Sequence, residues 1–185
     1  MQMEHGRRYS RVAMLLHWLI AIAVIAQWRI AEGAEHAATE EAGRAIMANH
    51  FSLGVTTLVL VLLRLIWRFV SPNPPLAAHL AGWERFLSKA THSLFYVLLI
   101  ALPLAGWLAL SKYGSPVPVW GLFALPPLPV APDPEGAKGI FGVHAAVGTV
   151  LLGLTVLHIL GTLKHTLIDR DGNLFRMLPF GTPKA

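Results

Sequence analysis

Four histidines of this chain stand at matched distances from basic residues. His17 follows Arg11 by six residues and His158 precedes Lys164 by six, while His50 follows Arg44 by six and His144 follows Lys138 by six. Each lies in an apolar stretch. If the basic residues mark membrane surfaces, a rise of ~1.5 Å per residue places every imidazole about 9 Å inside. An ionisable side chain within a spanning helix is costly and marks a functional site by default. A lone buried histidine is more often an inter-helix hydrogen-bonding residue. Four at one depth, pairing by membrane face, argue instead for axial metal ligation, for which a neutral imidazole is well suited.

The elements that must position them are four apolar segments, at about residues 12–29, 50–70, 92–110 and 139–163. A hydrocarbon core of ~30 Å needs about 20 such residues, so the expected fold is all-α, an integral membrane four-helix bundle forming a single domain over 1–185. Eleven Lys and Arg fall in the N-terminus, the 64–91 region and the C-terminal tail, against four (Arg29, Arg44, Lys112, Lys138) in the other two loops. Positive charge stays on the cytoplasmic side, so both termini are expected there. Ser71-Pro72-Asn73-Pro74-Pro75 is expected to end the second span, because proline removes a donor and restricts its predecessor. Pro103 is expected to kink the third span, which membrane helices tolerate. The proline-rich loop from Ser111 to Lys138 reads as non-helical, yet its Trp120, Leu122 and Phe123 are too apolar to float; it should fold over the outer mouth of the bundle. Arg7, Arg8 and Arg11 before the first apolar run resemble the start of a signal peptide, but His17 within the run and the poor processing site around Ala31–Ala34 favour a retained first helix.

With this orientation His50 and His144 lie near the outer face, and His17 and His158 near the inner one. His144 and His158 are fourteen residues apart, ~21 Å along one helix and only about 40° around it. One helix face thus offers a ring nitrogen at two levels, completed by His50 outside and His17 inside. Each pair can supply both axial imidazoles of a six-coordinate b-type haem in the apolar interior. Gly54 and Gly148, one turn beyond His50 and His144, either make room for a flat macrocycle or serve close helix packing. Arg64, fourteen residues after His50, sits at the inner level, where a guanidinium can bind haem propionates or snorkel to the interface; Arg68 suits the latter. His92, three residues after Lys89, is the rival ligand. It and His165 either line a quinone or proton-relay site near the inner haem or are ordinary interfacial histidines. His5, His36 and His79 lie in polar segments.

Composition agrees. Of 185 residues, 55% are hydrophobic and 14% charged, with mean hydropathy +0.55, the balance of a small polytopic membrane protein. The chain has no cysteine, which excludes disulfides, thiolate metal sites, iron–sulfur clusters and covalent haem attachment. The net charge of +5 is explained by loop topology, and nucleic acid is not an expected partner.

The ordered motifs are Arg8-Tyr9-Ser10-Arg11 leading to His17-Trp18, His50 with Gly54, Arg64-Leu65-Ile66-Trp67-Arg68, Pro72-Asn73-Pro74-Pro75, His92 leading to Ala101-Leu102-Pro103, Gly114-Ser115-Pro116 before Trp120-Gly121, and His144, His158 and His165 before Asp171-Gly172-Asn173-Leu174-Phe175-Arg176-Met177-Leu178-Pro179. Together they resemble the bacterial cytochrome b561 family, four-helix dihaem proteins of the inner membrane, over nearly the whole chain. The resemblance implies two haem b groups on His17, His50, His144 and His158. The sequence is also similar to a family member described as a superoxide oxidase, which passes electrons from superoxide to ubiquinone; on that likeness the chain is a superoxide:ubiquinone oxidoreductase.

Three functions compete. The first is an oxidoreductase that moves single electrons from an outer donor, superoxide by the resemblance, to the quinone pool. In that case Lys112 and Lys138 either attract the anion or are topological anchors. The second is a haem-bearing anchor or electron-conduit subunit for a dehydrogenase or hydrogenase, docked to a redox partner protein. The third, a haem-free transporter using a histidine relay, is disfavoured because the histidines form two separated levels. Six-coordinate iron leaves no open position for oxygen.

Overall fold

The computed structural model describes residues 8–71, 74–75 and 80–181. Pro72 and Asn73 of the second-span stop, His5, His79, Arg7 and Lys184 lie outside the described residues. Four long helices form the body: α1 (Arg11–Glu35), α2 (Glu40–Val70), α3 (Gly82–Lys112) and α4 (Pro134–Leu163), the last extended by a π-helical turn at Lys164–Ile168. All four are long and apolar enough to cross a membrane.

Capping fixes where these helices begin. Ser10, Thr39 and Asp133 each accept a hydrogen bond from the backbone N–H three residues on, satisfying donors that a helix start leaves unpaired. Helix α4 starts at Pro134, inside the stretch expected to be non-helical. Proline is acceptable there because the first helical residue has no intrahelical use for its N–H. Helix α3 begins ten residues before the expected edge of its span: the polar stretch Trp83–Lys89 continues the helix outside the apolar window, headed by Glu84, whose carboxylate accepts from the Ala81 N–H. It continues through Pro103.

The helices associate mainly as two antiparallel hairpins, α1 with α2 and α3 with α4, while α1 touches α4 little. Side chains at the seams are small, among them Ala13, Ala23, Ser52, Thr57, Ala109 and Ala137, all buried. Large apolar side chains such as Phe69, Val97, Val143 and Leu157 point outward. That is the inverse of a soluble fold and suits a lipid surround, where close packing through small residues replaces a hydrophobic driving force between helices.

Residues near both ends of the described chain meet at one end of the bundle, here the near end. The Tyr9 N–H donates to the Arg176 carbonyl at 3.1 Å, and Trp18 Nε1 donates to the Met177 carbonyl at 2.8 Å. Trp67 Nε1 donates to Ser10 Oγ at 2.8 Å, tying α2 to the cap of α1. At the far end the α3–α4 loop departs from an all-helical plan: β1 (Val117–Val119) pairs antiparallel with β2 (Phe123–Leu125), Val117 opposite Leu125. The connecting turn has Trp120 and Gly121 both at positive φ and closes through Leu122 N–H to the Val119 carbonyl, the hairpin turn whose twist matches its strands. This hairpin lies on α2. Ser52 Oγ accepts from the Trp120 N–H at 2.9 Å and reaches the Pro118 carbonyl at 3.1 Å, and Trp120 Nε1 donates to Thr56 Oγ1 at 3.0 Å. On α3, Trp107 Nε1 holds the Pro126 carbonyl and Ser111 Oγ the Leu128 N–H.

Candidate functional site

The weak contact between the two hairpins leaves space at the far end of the bundle. A cavity of about 390 Å³ lies there, lined by all four helices: Gln27 of α1, His50 and Gly54 of α2, Leu102 and Gly106 of α3, and His144 and Gly148 of α4. Val117 and Leu125 of the hairpin close it from above, and Glu32 and Glu35 stand at its rim. The volume and apolar lining are those of a small-molecule or cofactor site.

Across it the His50 and His144 rings lie with centroids 6.0 Å apart and planes at 70°. Two imidazoles trans on one metal ion, each with a bond of about 2.0 Å and about 1 Å more from that nitrogen to the ring centre, stand about 6 Å apart. The pair therefore fits a single metal between its rings. The other ring nitrogen agrees: His50 Nδ1 donates to the Gln27 carbonyl at 3.2 Å, which leaves Nε2 as the free ligand atom. His144 Nδ1 is buried beside the Leu102 carbonyl without a hydrogen bond of ordinary geometry. No neighbouring atom lies within 4 Å of where a Cβ on Gly148 would be, so that position opens onto free space.

Gly54 lines the cavity and also serves the close helix packing that was one of its two readings. A Cβ there would stand 3.3 Å from Gln27 Nε2, so the missing side chain admits the Gln27 amide. Spacing of histidines gives no hint of Gln27, a residue of another helix; the one trace in sequence is a lone amide within an apolar span.

At the near end the His17 and His158 rings are 6.3 Å apart with planes at 69°, again the separation of trans ligands. His92 joins them. Its ring lies 5.6 Å from that of His158 at 90°, so it is not at a shallower level, as its distance from Lys89 suggested. The early start of α3 is the reason, since Lys89 lies within the helix rather than at its mouth. His92 Nδ1 donates to the Ser88 carbonyl at 2.6 Å within its own helix. Arg64 reaches the same level, where its Nη1 donates to the Ala13 carbonyl at 2.5 Å, so it ties α1 to α2 there.

His165 lies apart from these rings, with Nδ1 2.8 Å from Asp171 and 3.0 Å from Asp169 but poorly aligned for a hydrogen bond to either. Glu84, His165 and Asp169 come together like a cation site. The Lys164 ammonium already bridges both carboxylates, at 2.9 and 2.8 Å, and supplies the positive charge itself.

All four basic residues of the far end are ion-paired: Arg29 with Glu32, Arg44 with Glu40, Lys112 with Asp133 and Lys138 with Glu135. Six acidic residues outnumber these four basic ones in the two far-end loops, so the net charge there is negative. The hydrogen bond from Lys112, helped by the Gly136 N–H, holds the Asp133 carboxyl below its ordinary range.

Residues 8–180 match the family described as prokaryotic cytochrome b561. The chain is 30% identical over 182 residues to Cytochrome b561 homolog 2 of Escherichia coli (strain K12), covering 92% of this chain and 91% of that protein. It is 29% identical over 178 residues to the Probable superoxide oxidase CybB of Yersinia pestis, covering 94% and 97%, and 25% identical over 174 residues to the Escherichia coli Cytochrome b561 homolog 1, covering 93% and 97%. The chain is a multi-pass bacterial membrane protein of the prokaryotic cytochrome b561 family, a b-type cytochrome of electron transfer.

Proposed function

We propose that this protein is a dihaem cytochrome that conducts single electrons across the bacterial inner membrane, from a donor at the far end to the quinone pool. His50 and His144 hold one haem and His17 and His158 the other, the whole chain acting as a single transmembrane domain. The excess of Lys and Arg at the near end supports a cytoplasmic location for that end and both termini. The observation that carries the reading is the repeated ring separation, 6.0 and 6.3 Å, at two levels of one helix. His92, with its ring 5.6 Å from that of His158, borders the near-end site for quinone, His165 beside Asp169 and Asp171 stands toward its mouth, and Arg64 meets the propionates of the near-end haem.

Haem, when bound, supplies a one-electron iron couple whose potential the protein tunes. The chain contributes fixed imidazoles, an apolar cavity roofed by the hairpin, and far-end glutamates at the rim. With superoxide as donor, two superoxide anions become two dioxygen molecules while one quinone takes up two electrons and two protons to become the quinol. The name of the Yersinia relative favours this over the anchor-subunit reading, in which a redox partner protein delivers or receives the electrons. Purified protein in ubiquinone-containing vesicles, supplied with enzymatically generated superoxide, is expected to form one quinol per two superoxide consumed. Haem reduction without quinol formation contradicts the enzyme reading and leaves the conduit.

A further inference from the structure

The far-end histidines are supported unequally, and the difference centres on Gln27. Two hydrogen bonds join Gln27 and His50 reciprocally across α1 and α2. His50 Nδ1 donates to the Gln27 backbone carbonyl at 3.2 Å, and Gln27 Nε2 donates to the His50 backbone carbonyl at 3.1 Å. A carbonyl only accepts, so the first bond fixes the proton on Nδ1 and the second fixes which way the amide points. A flipped amide would set its oxygen against the His50 carbonyl. In the orientation held, Gln27 Oε1 is buried with no hydrogen-bond partner. A buried orphan acceptor is costly and calls for an explanation. Apolar packing would fill this place with leucine or methionine at no such cost. The missing side chain at Gly54 admits the amide, since a Cβ there would press to 3.3 Å from Nε2.

We infer that Gln27 is a positioning residue for the far-end metal ligand: its amide locks the backbone of His50 so that the ring keeps Nδ1–H on the α1 carbonyl and Nε2 toward the cavity. The inference rests on the reading of His50 and His144 as haem ligands. Outer-shell hydrogen bonds of this kind raise the basicity of an imidazole ligand and favour the oxidised metal. Loosening the lock therefore raises the reduction potential of the far-end haem and leaves the near-end haem unchanged.

The test is a redox titration of each haem, with its low-spin ferric electron paramagnetic resonance signal, in wild type, Gln27→Met, Gly54→Ala and the double variant. For Gln27→Met the expected result is about a tenfold shift of the ferric-to-ferrous ratio toward ferrous at fixed poise, a rise of ~59 mV for one electron. The far-end ferric signal shifts and the near-end signal does not. Gly54→Ala shifts the same haem the same way by less. The double variant is no worse than Gln27→Met alone, since both act through one contact. An unmoved far-end potential and signal in Gln27→Met overturns the inference, as does an equal shift of both haems, which marks general loosening. If Gln27→Met does not assemble, Gly54→Ala decides alone, and an unchanged far-end signal overturns the inference. Failure of the underlying reading looks different: wild type then lacks a second haem, or His50→Ala keeps it.

Discussion

Among the bonds that hold the hairpin over the far-end cavity, the Ser52 hydroxyl alone meets both Pro118 and Trp120 of the β1 end, which makes Ser52→Ala a sharp test of the architecture. Ser52 is 3% exposed, and its Oγ accepts from the Trp120 N–H at 2.9 Å. Its proton goes to the Ala48 carbonyl at 2.9 Å or to the Pro118 carbonyl at 3.1 Å. The Ala48 carbonyl keeps its helical partner after substitution, whereas the Trp120 N–H loses its own. Leaving a donor unpaired in a part-buried site costs about 1–2 kcal/mol, toward the low end of the usual range. For a domain of this size each kcal/mol is worth about 2–4 °C, so thermal unfolding in detergent, followed by circular dichroism, should fall by about 2–8 °C. Thr56→Val removes the acceptor of the exposed Trp120 Nε1 and a donor to the Ser52 carbonyl, and should cost less than about 1 kcal/mol because neither partner is left buried and unpaired. Protease cleavage between residues 113 and 133 should accelerate in Ser52→Ala and much less in Thr56→Val. Unchanged melting together with unchanged cleavage in Ser52→Ala refutes the claim that this contact holds the roof.

Two further outcomes follow from the far-end charges. Asp133 has a depressed folded-state pKa because of Lys112, so its contribution to stability is present above the unfolded carboxyl pKa of about 4 and is lost as pH falls through the lower folded value. Lys112→Met should therefore move the acid-unfolding midpoint to higher pH; an unshifted midpoint contradicts the pairing. With four basic residues, all paired, against six acidic ones, the far end repels anions. Reduction by superoxide should consequently rise, by up to about threefold, as salt is raised from low to physiological strength. A steep fall with salt would show that attraction, not repulsion, governs the approach.

Much of this was legible in the residues because membrane constraints are one-dimensional. Helix length, basic flanks and histidine spacing all run along a single axis, so four apolar segments gave four long helices, and residues matched in depth came to lie side by side. What escaped depends on contacts between helices. Gln27 acquires its part only by facing His50 across the α1–α2 seam, and Gly54 is occupied from that side. The depth of His92 is not legible from Lys89, because helix α3 starts at Gly82, ahead of its apolar window, and so Lys89 is no surface marker. The proline-rich loop reads from sequence as non-helical and folded over the outer mouth, and it does cover the far-end cavity, but its local structure is not legible. Proline content hid a three-residue strand pair, since strands that short give no alternation to detect, and it hid the start of α4, where Pro134 begins the helix rather than barring it. Lys138 pairs with Glu135 three residues before it on the same helix, a spacing legible in the sequence, whereas Lys112 finds Asp133 only because the folded loop brings it near.

The central claim is that two imidazole pairs hold two haems at separate levels. Haem content by pyridine haemochrome, with a redox-resolved spectrum, on detergent-purified wild type, His50→Ala and His158→Ala tests it most directly. The account predicts about two b haems per chain, falling to about one in each variant, with a different redox component lost from each. One haem or none in folded wild type, or the same component lost from both variants, contradicts it.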